Sequence, residues 1–149
     1  MAFVAHDSSI TVVYPSGPEQ PPQAVISVAT HFLPFTSLVW SSESEIVAAG
    51  YDCEPHRFEG SAGGWTHAGS LDVTAKAVGN GAAREESALN MFRQMDLKGR
   101  GGSGNNDDTK LKTVHQNTIS TVRVFQESGG KTSRFSTTGV DGRLVIWKV

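Results

Sequence analysis

Four side chains near one end of the sequence, His115, Thr137, Asp141 and Trp147, most invite a chemical reading. A hydroxyl, an imidazole and a carboxylate are the parts of a nucleophilic triad, in which the carboxylate orients the imidazole and the imidazole deprotonates the hydroxyl. The same parts also make a buried chain of hydrogen bonds. The Asp141 carboxylate accepts from the His115 ring, the other ring nitrogen reaches the Thr137 hydroxyl, and that hydroxyl reaches the Trp147 indole N–H. Such a chain is favourable when every member is satisfied. The two readings differ in one observable. A hydrolase needs these side chains to line an open cleft, whereas a structural chain needs them buried in one sheet. The structural chain is the expectation.

Other candidate sites are weaker. Cys53-x-x-His56, with His31 and His67 further off, has metal-ligand residue types, but no second ligand pair exists and the pair falls on an expected strand. No metal is expected. The run GRGGSG (99–104) loosely resembles a phosphate-binding loop, yet no strand leads into it and no Lys-Ser/Thr closes it. It reads as a linker. Paired carboxylates, a nucleophile elbow and cofactor motifs do not appear, so neither catalytic residues, a cofactor nor a small-molecule substrate is expected.

The elements that must position these residues are strands. In TTGVDGRLVIWKV (Thr137–Val149) an Asp-Gly pair separates two apolar runs, the strongest local signal for a tight hairpin. After the turn, Leu144 and Ile146 alternate with Val145 and Trp147. Trp147 lies six residues past Asp141 and is followed by a polar residue, the closing signature of one propeller blade. The unit recurs upstream: Asp7 has Val13 six residues later, and Asp52 has Phe58. From Asp7 to Asp52 is 45 residues, about one four-stranded blade, whereas Asp52 to Asp141 is 89. The period holds once and is then interrupted.

Strands are expected at 2–5, 10–14, 24–29, 35–40, 45–50, 54–58, 65–73, 119–125, 134–138 and 143–149. Pro15–Pro22 and Ser41–Ser44 are turns or loops, and the strand from Trp65 is taken to open the final blade. The surplus between blades has another character. Ala82–Lys98 is rich in good helix formers, with Leu89, Phe92 and Met95 on one face, glutamates at its start and cations at its end. Gly99–Asp108 has a linker composition. The chain therefore divides into residues 1–73 (the end of one blade, a whole blade and the first strand of the next), an insertion at 74–112 with its helix at 82–98, and residues 113–149 completing the last blade. The insert helix has two possible fates: packing back on the propeller, or recognition of a partner groove.

A net charge of −2 with 19% charged residues gives no electrostatic case for nucleic acid. A lone Cys53 precludes an intrachain disulfide and fits a reducing, cytoplasmic compartment. No apolar run approaches membrane-spanning length, and MAFVAHDSS lacks the marks of a signal peptide, reading instead as a strand that begins inside a blade.

The order VAHDSSITV, IVAAGYDCEPHRF, LDV, FRQMDLK, TVHQNTIST and TTGVDGRLVIW resembles the WD-repeat subunit of the actin-related protein 2/3 complex. The AAGYDCEP turn and the tethered FRQMDLK helix are the most specific elements. The resemblance implies an all-β fold, part of a seven-bladed WD-repeat propeller matched over its C-terminal half, carrying an inserted amphipathic helix on tethers. It implies a non-catalytic scaffold of the actin-nucleating complex, located at the actin cytoskeleton. Its partners would be actin, actin-related proteins, the other subunits and nucleation-promoting factors. In the family an aromatic and an aliphatic residue of the insert helix enter a groove on actin. Here these match Phe92 and Met95, with Leu89 and Arg93 beside them. A WD-repeat interaction scaffold unrelated to actin is the alternative.

Overall fold

The computed structural model describes residues 1–72 and 111–149. The described residues are all β, in three antiparallel sheets of consecutive strands. The first holds β1 (Ala2–Val4), β2 (Ser9–Tyr14) and β3 (Ala24–Ala29); the second holds β4 (Phe35–Ser42), β5 (Glu45–Gly50), β6 (His56–Ser61) and β7 (Gly64–Ser70). The third holds β8 (Ile119–Ser128), β9 (Lys131–Gly139) and β10 (Leu144–Lys148). These are blades of a partial WD-repeat propeller. The expected insert helix at 82–98 lies outside the described residues.

The middle blade is covered on both faces, and the sequence of β5 shows why. Ile46 and Ala48 point into a core shared with Ile10, Val12, Phe35 and Phe58, whereas Val47 and Ala49 point into a second core with Ile119, Val122, Phe135 and Trp147. A continuous apolar run suits a strand buried on both sides, since alternate residues face opposite layers. Two hydroxyls of β4 fasten the second and third sheets. Thr36 Oγ1 donates to the Ile119 carbonyl at 2.5 Å, and Ser37 Oγ accepts from the Val122 N–H at 3.1 Å.

Several boundaries differ from the sequence expectation, among them the end of β4, which runs on to Ser42 where the turn Ser41–Ser44 was expected. The strand from Trp65 does not open the final blade: β7 pairs with β6, with Gly60 opposite Trp65, and completes the second sheet as its fourth strand. Its two-residue connection, Ala62–Gly63, leaves no length for a crossover. β6 itself begins at His56 rather than Glu54 and runs on to Ser61. Finally, β8 and β9 are longer than expected because Gly129 and Gly130, at φ 62° and 76°, form a two-residue hairpin between Ser128 and Lys131. Both positions need positive φ, which glycine adopts without steric cost.

Candidate functional site

Each blade contributes the same turn. Asp7, Asp52 and Asp141 lie in the β1–β2, β5–β6 and β9–β10 connections, and the residue after each has positive φ: Ser8 at 66°, Cys53 at 63° and Gly142 at 76°. That residue's N–H donates back three positions, Ser8 to Ala5, Cys53 to Gly50 and Gly142 to Gly139, at 3.1–3.3 Å. In the second and third blades the carboxylate then anchors the segment entering the blade. Asp52 Oδ2 accepts from the Leu33 N–H at 3.0 Å, and Asp141 Oδ2 accepts from the Gln116 N–H at 2.8 Å.

In the third blade the anchor extends into a chain of four side chains. His115 Nδ1 lies 3.1 Å from Asp141 Oδ1, and His115 Nε2 lies 2.8 Å from the Thr137 hydroxyl, which accepts from the Trp147 indole N–H at 2.7 Å. His115 and Thr137 are wholly buried and Trp147 is 7% exposed. An imidazole that donates from Nδ1 to the carboxylate presents Nε2 as an acceptor for the hydroxyl, so all four groups are satisfied at once. Desolvation opposes the charge on Asp141. The Gln116 N–H, the His115 ring and the Arg143 N–H outweigh it and hold the carboxyl down at about 2. A triad nucleophile must meet its substrate, and the Thr137 hydroxyl is enclosed. The arrangement ties a blade together and offers no hydrolase cleft.

Sequence reasoning missed Gly139. A Cβ built there would stand 2.5 Å from Asp141 Oδ1 and 2.7 Å from His115 Nδ1, so the glycine makes room for the chain. It also missed that the second blade has an apolar counterpart. Phe32, preceding the Leu33 donor, stands where His115 stands, while Ala48 and Phe58 occupy the places of Thr137 and Trp147. The matching offset from Asp52 was the signal that could have shown this.

Of the other sequence candidates, His56 and His67 meet each other, but they gather no third ligand among the described residues. Cys53 Sγ donates to the Tyr51 carbonyl at 3.4 Å, and burial, with Asp52 beside it, pushes its thiol pKa up. His56 is buried beneath Phe32, ring centroids 4.1 Å apart, with Nδ1 3.3 Å from His67 Nε2. Among the described residues no group of three or more His, Cys, Asp or Glu could hold a metal ion. Leu89, Phe92, Arg93 and Met95 lie outside the described residues, which break off at Asp72 and resume at Leu111. Asp72, wholly buried, accepts from the Val114 N–H through Oδ2 at 2.7 Å. The chain thus leaves and re-enters the propeller at one place, next to His115.

Comparison with known proteins decides the kinship. The chain aligns over 99% of its length, at 45% identity, with actin-related protein 2/3 complex subunit 1 of Schizosaccharomyces pombe. The chain resembles subunit 1 of the actin-related protein 2/3 complex. Subunit 1A-A of Xenopus laevis is 34% identical over 99% of the chain, and subunit 1 of Saccharomyces cerevisiae is 33% identical over 100% of it. The chain spans about two-fifths of the length of these subunit 1 relatives, 41%, 37% and 41% respectively. No protein-family model matches the chain. Among the described residues no helix is long and apolar enough to cross a membrane.

Proposed function

We propose that the chain is the C-terminal half of a WD-repeat subunit of an actin-nucleating complex. It acts there as a non-catalytic scaffold at the actin cytoskeleton and contacts actin through the insertion at 74–112. The observation that carries this reading is the whole-length likeness to proteins named as subunit 1 of that complex. The blade geometry supports it, since the polar groups of the third blade are spent on holding the sheet rather than on a substrate. Partners are then actin-related proteins and other subunits of the complex, actin itself, and nucleation-promoting factors. The contact with actin falls to Phe92 and Met95, flanked by Leu89 and Arg93, in a helix-in-groove mode. One aromatic and a few aliphatic side chains bury little area, so the contact is weak alone and gains strength from the other contacts of an assembly.

The test is co-sedimentation of the chain with filamentous actin, compared with a Phe92→Ala, Met95→Ala double variant. Binding weakened at least tenfold in the double variant supports the reading. Equal binding by both, or no binding by the unaltered chain at high actin concentration, rejects the actin contact.

A further inference from the structure

His56, the first residue of β6, is wholly buried, although an imidazole ordinarily gains and loses its proton near neutral pH. Its Nδ1 lies 3.3 Å from Nε2 of His67 on β7, and its Nε2 lies 3.8 Å from Asp52 Oδ2, an ion-pair distance. Phe32, from the β3–β4 connection, stacks on the ring, and Phe35 meets it edge-on at 5.9 Å. His67, by contrast, is exposed. Three further ionisable groups stand around the pair among the described residues. The His31 ring meets Phe32 at 4.4 Å, the Glu54 carboxylate accepts from the hydroxyl of Ser70 opposite His56, and burial keeps the Cys53 thiol protonated. Arg57, next along β6, turns to Glu45 and Glu59 instead.

Two ring nitrogens at this separation have room for one hydrogen between them. In the neutral pair one ring donates and the other accepts. A first added proton enters at the second nitrogen of the exposed His67 ring and leaves the bond intact, with His67 Nε2–H donating to His56 Nδ1. A second proton places a hydrogen on both facing nitrogens and a positive charge on both rings, whose centroids are 5.3 Å apart. Asp52 favours that second charge, whereas burial and the charge on His67 oppose it. The bond is lost when the proton enters. His56 is enclosed by aromatic rings, so His67 is the ring that swings away.

We propose that His56 and His67 form an acid-opened latch on β7, the edge strand of the second sheet. The ladder between β6 and β7 shifts register between Arg57 and Phe58, so the side-chain bond supports β7 where its backbone pairing is irregular. The latch holds with one added proton and releases with two. Below about pH 6.5 both rings of an unfolded chain are charged while the latched pair carries one proton, so stability falls as pH falls. This window lies above the one in which Asp141 titrates, and the latch is independent of the proposed actin contact.

The experiment follows each histidine ring of the full chain by NMR from about pH 8 to about pH 5. Amide hydrogen exchange along β7 is measured over the same range, each rate compared at equal pH with the His67→Gln variant. Glutamine keeps a donor for His56 Nδ1 and does not titrate. His56 and His67 are expected to gain their protons in two separate steps. As the second step proceeds, exchange at Thr66 and His67 should quicken about tenfold relative to the variant, while β4 and β5 stay unchanged. Asp52→Asn, which keeps an acceptor oxygen for Leu33 N–H and loses the charge, is expected to move the release to a pH about half a unit lower. Rings that titrate together as independent groups, or separate steps with β7 exchange unchanged, overturn the latch. Exchange that quickens equally in His67→Gln overturns it as well, since the loosening then needs no second imidazole.

Discussion

The Trp65 indole N–H donates to the Tyr14 hydroxyl at 2.9 Å, joining the end of β2 to the start of β7 across two blades. Trp65 is 6% exposed and meets Trp40 edge to face, with ring centroids 5.5 Å apart. Removing the hydroxyl leaves a buried indole N–H without its acceptor. Tyr14→Phe is therefore expected to destabilise the chain by about 1–2 kcal/mol, read as a lower urea midpoint with an unchanged slope.

Thr137 serves two partners and should show a sharper penalty. Thr137→Val keeps the shape but strips the acceptor from Trp147 and the partner from His115, at a cost of about 2–4 kcal/mol. Thr137→Ser keeps the hydroxyl and should lose about 1 kcal/mol through the missing methyl. No loss in Thr137→Val would show that the hydroxyl contributes nothing and that packing alone ties this blade.

The low pKa of Asp141 predicts an acid limb. A carboxyl held below its unfolded value stabilises the fold above that value and stops doing so as pH falls through the folded one. With an ordinary value of 3.8 and a folded value of about 2, the contribution is complete above about pH 4–5 and disappears toward pH 2. Stability measured by denaturant titration at several pH values should fall through this window. Asp141→Asn should be less stable at pH 7 and show a flatter dependence between pH 4 and 2.

Ser8 occupies the left-handed position that Gly142 fills in the last hairpin. A side chain there costs roughly 1–2 kcal/mol, offset in part by the greater freedom of glycine in the unfolded chain. Ser8→Gly is expected to stabilise by about 0.5 kcal/mol and raise the melting temperature by roughly 1–2 °C. A lower melting temperature would show that the Ser8 side chain contributes more than its strained backbone costs.

Legibility in the sequence followed how local the physics was. The Asp-centred turns could be seen because one residue type at one offset does the work, even where Ser8 and Cys53 replace glycine. The two-sided burial of β5 follows from Ile46–Ala49 being apolar without interruption. The placement of β7 could not be read, because a strand's sheet is decided by its partner across a two-residue connection and not by its own composition. The burial of His56 was equally hidden: a single histidine on a strand carries no mark of Phe32 stacked on it from a different connection. Gln116 and Asp72 were invisible for the same reason, since each acts on a backbone group that any residue could present.

The meeting of Asp72 with Val114 also separates two kinds of change that the gene can accumulate. Closing a flexible loop grows costlier only with the logarithm of its length, about 0.6 kcal/mol per doubling. With its ends pinned, the stretch between can be lengthened, shortened or rewritten while the sheets keep every hydrogen bond described here. The blade is a socket, held closed whatever the length of the stretch it carries.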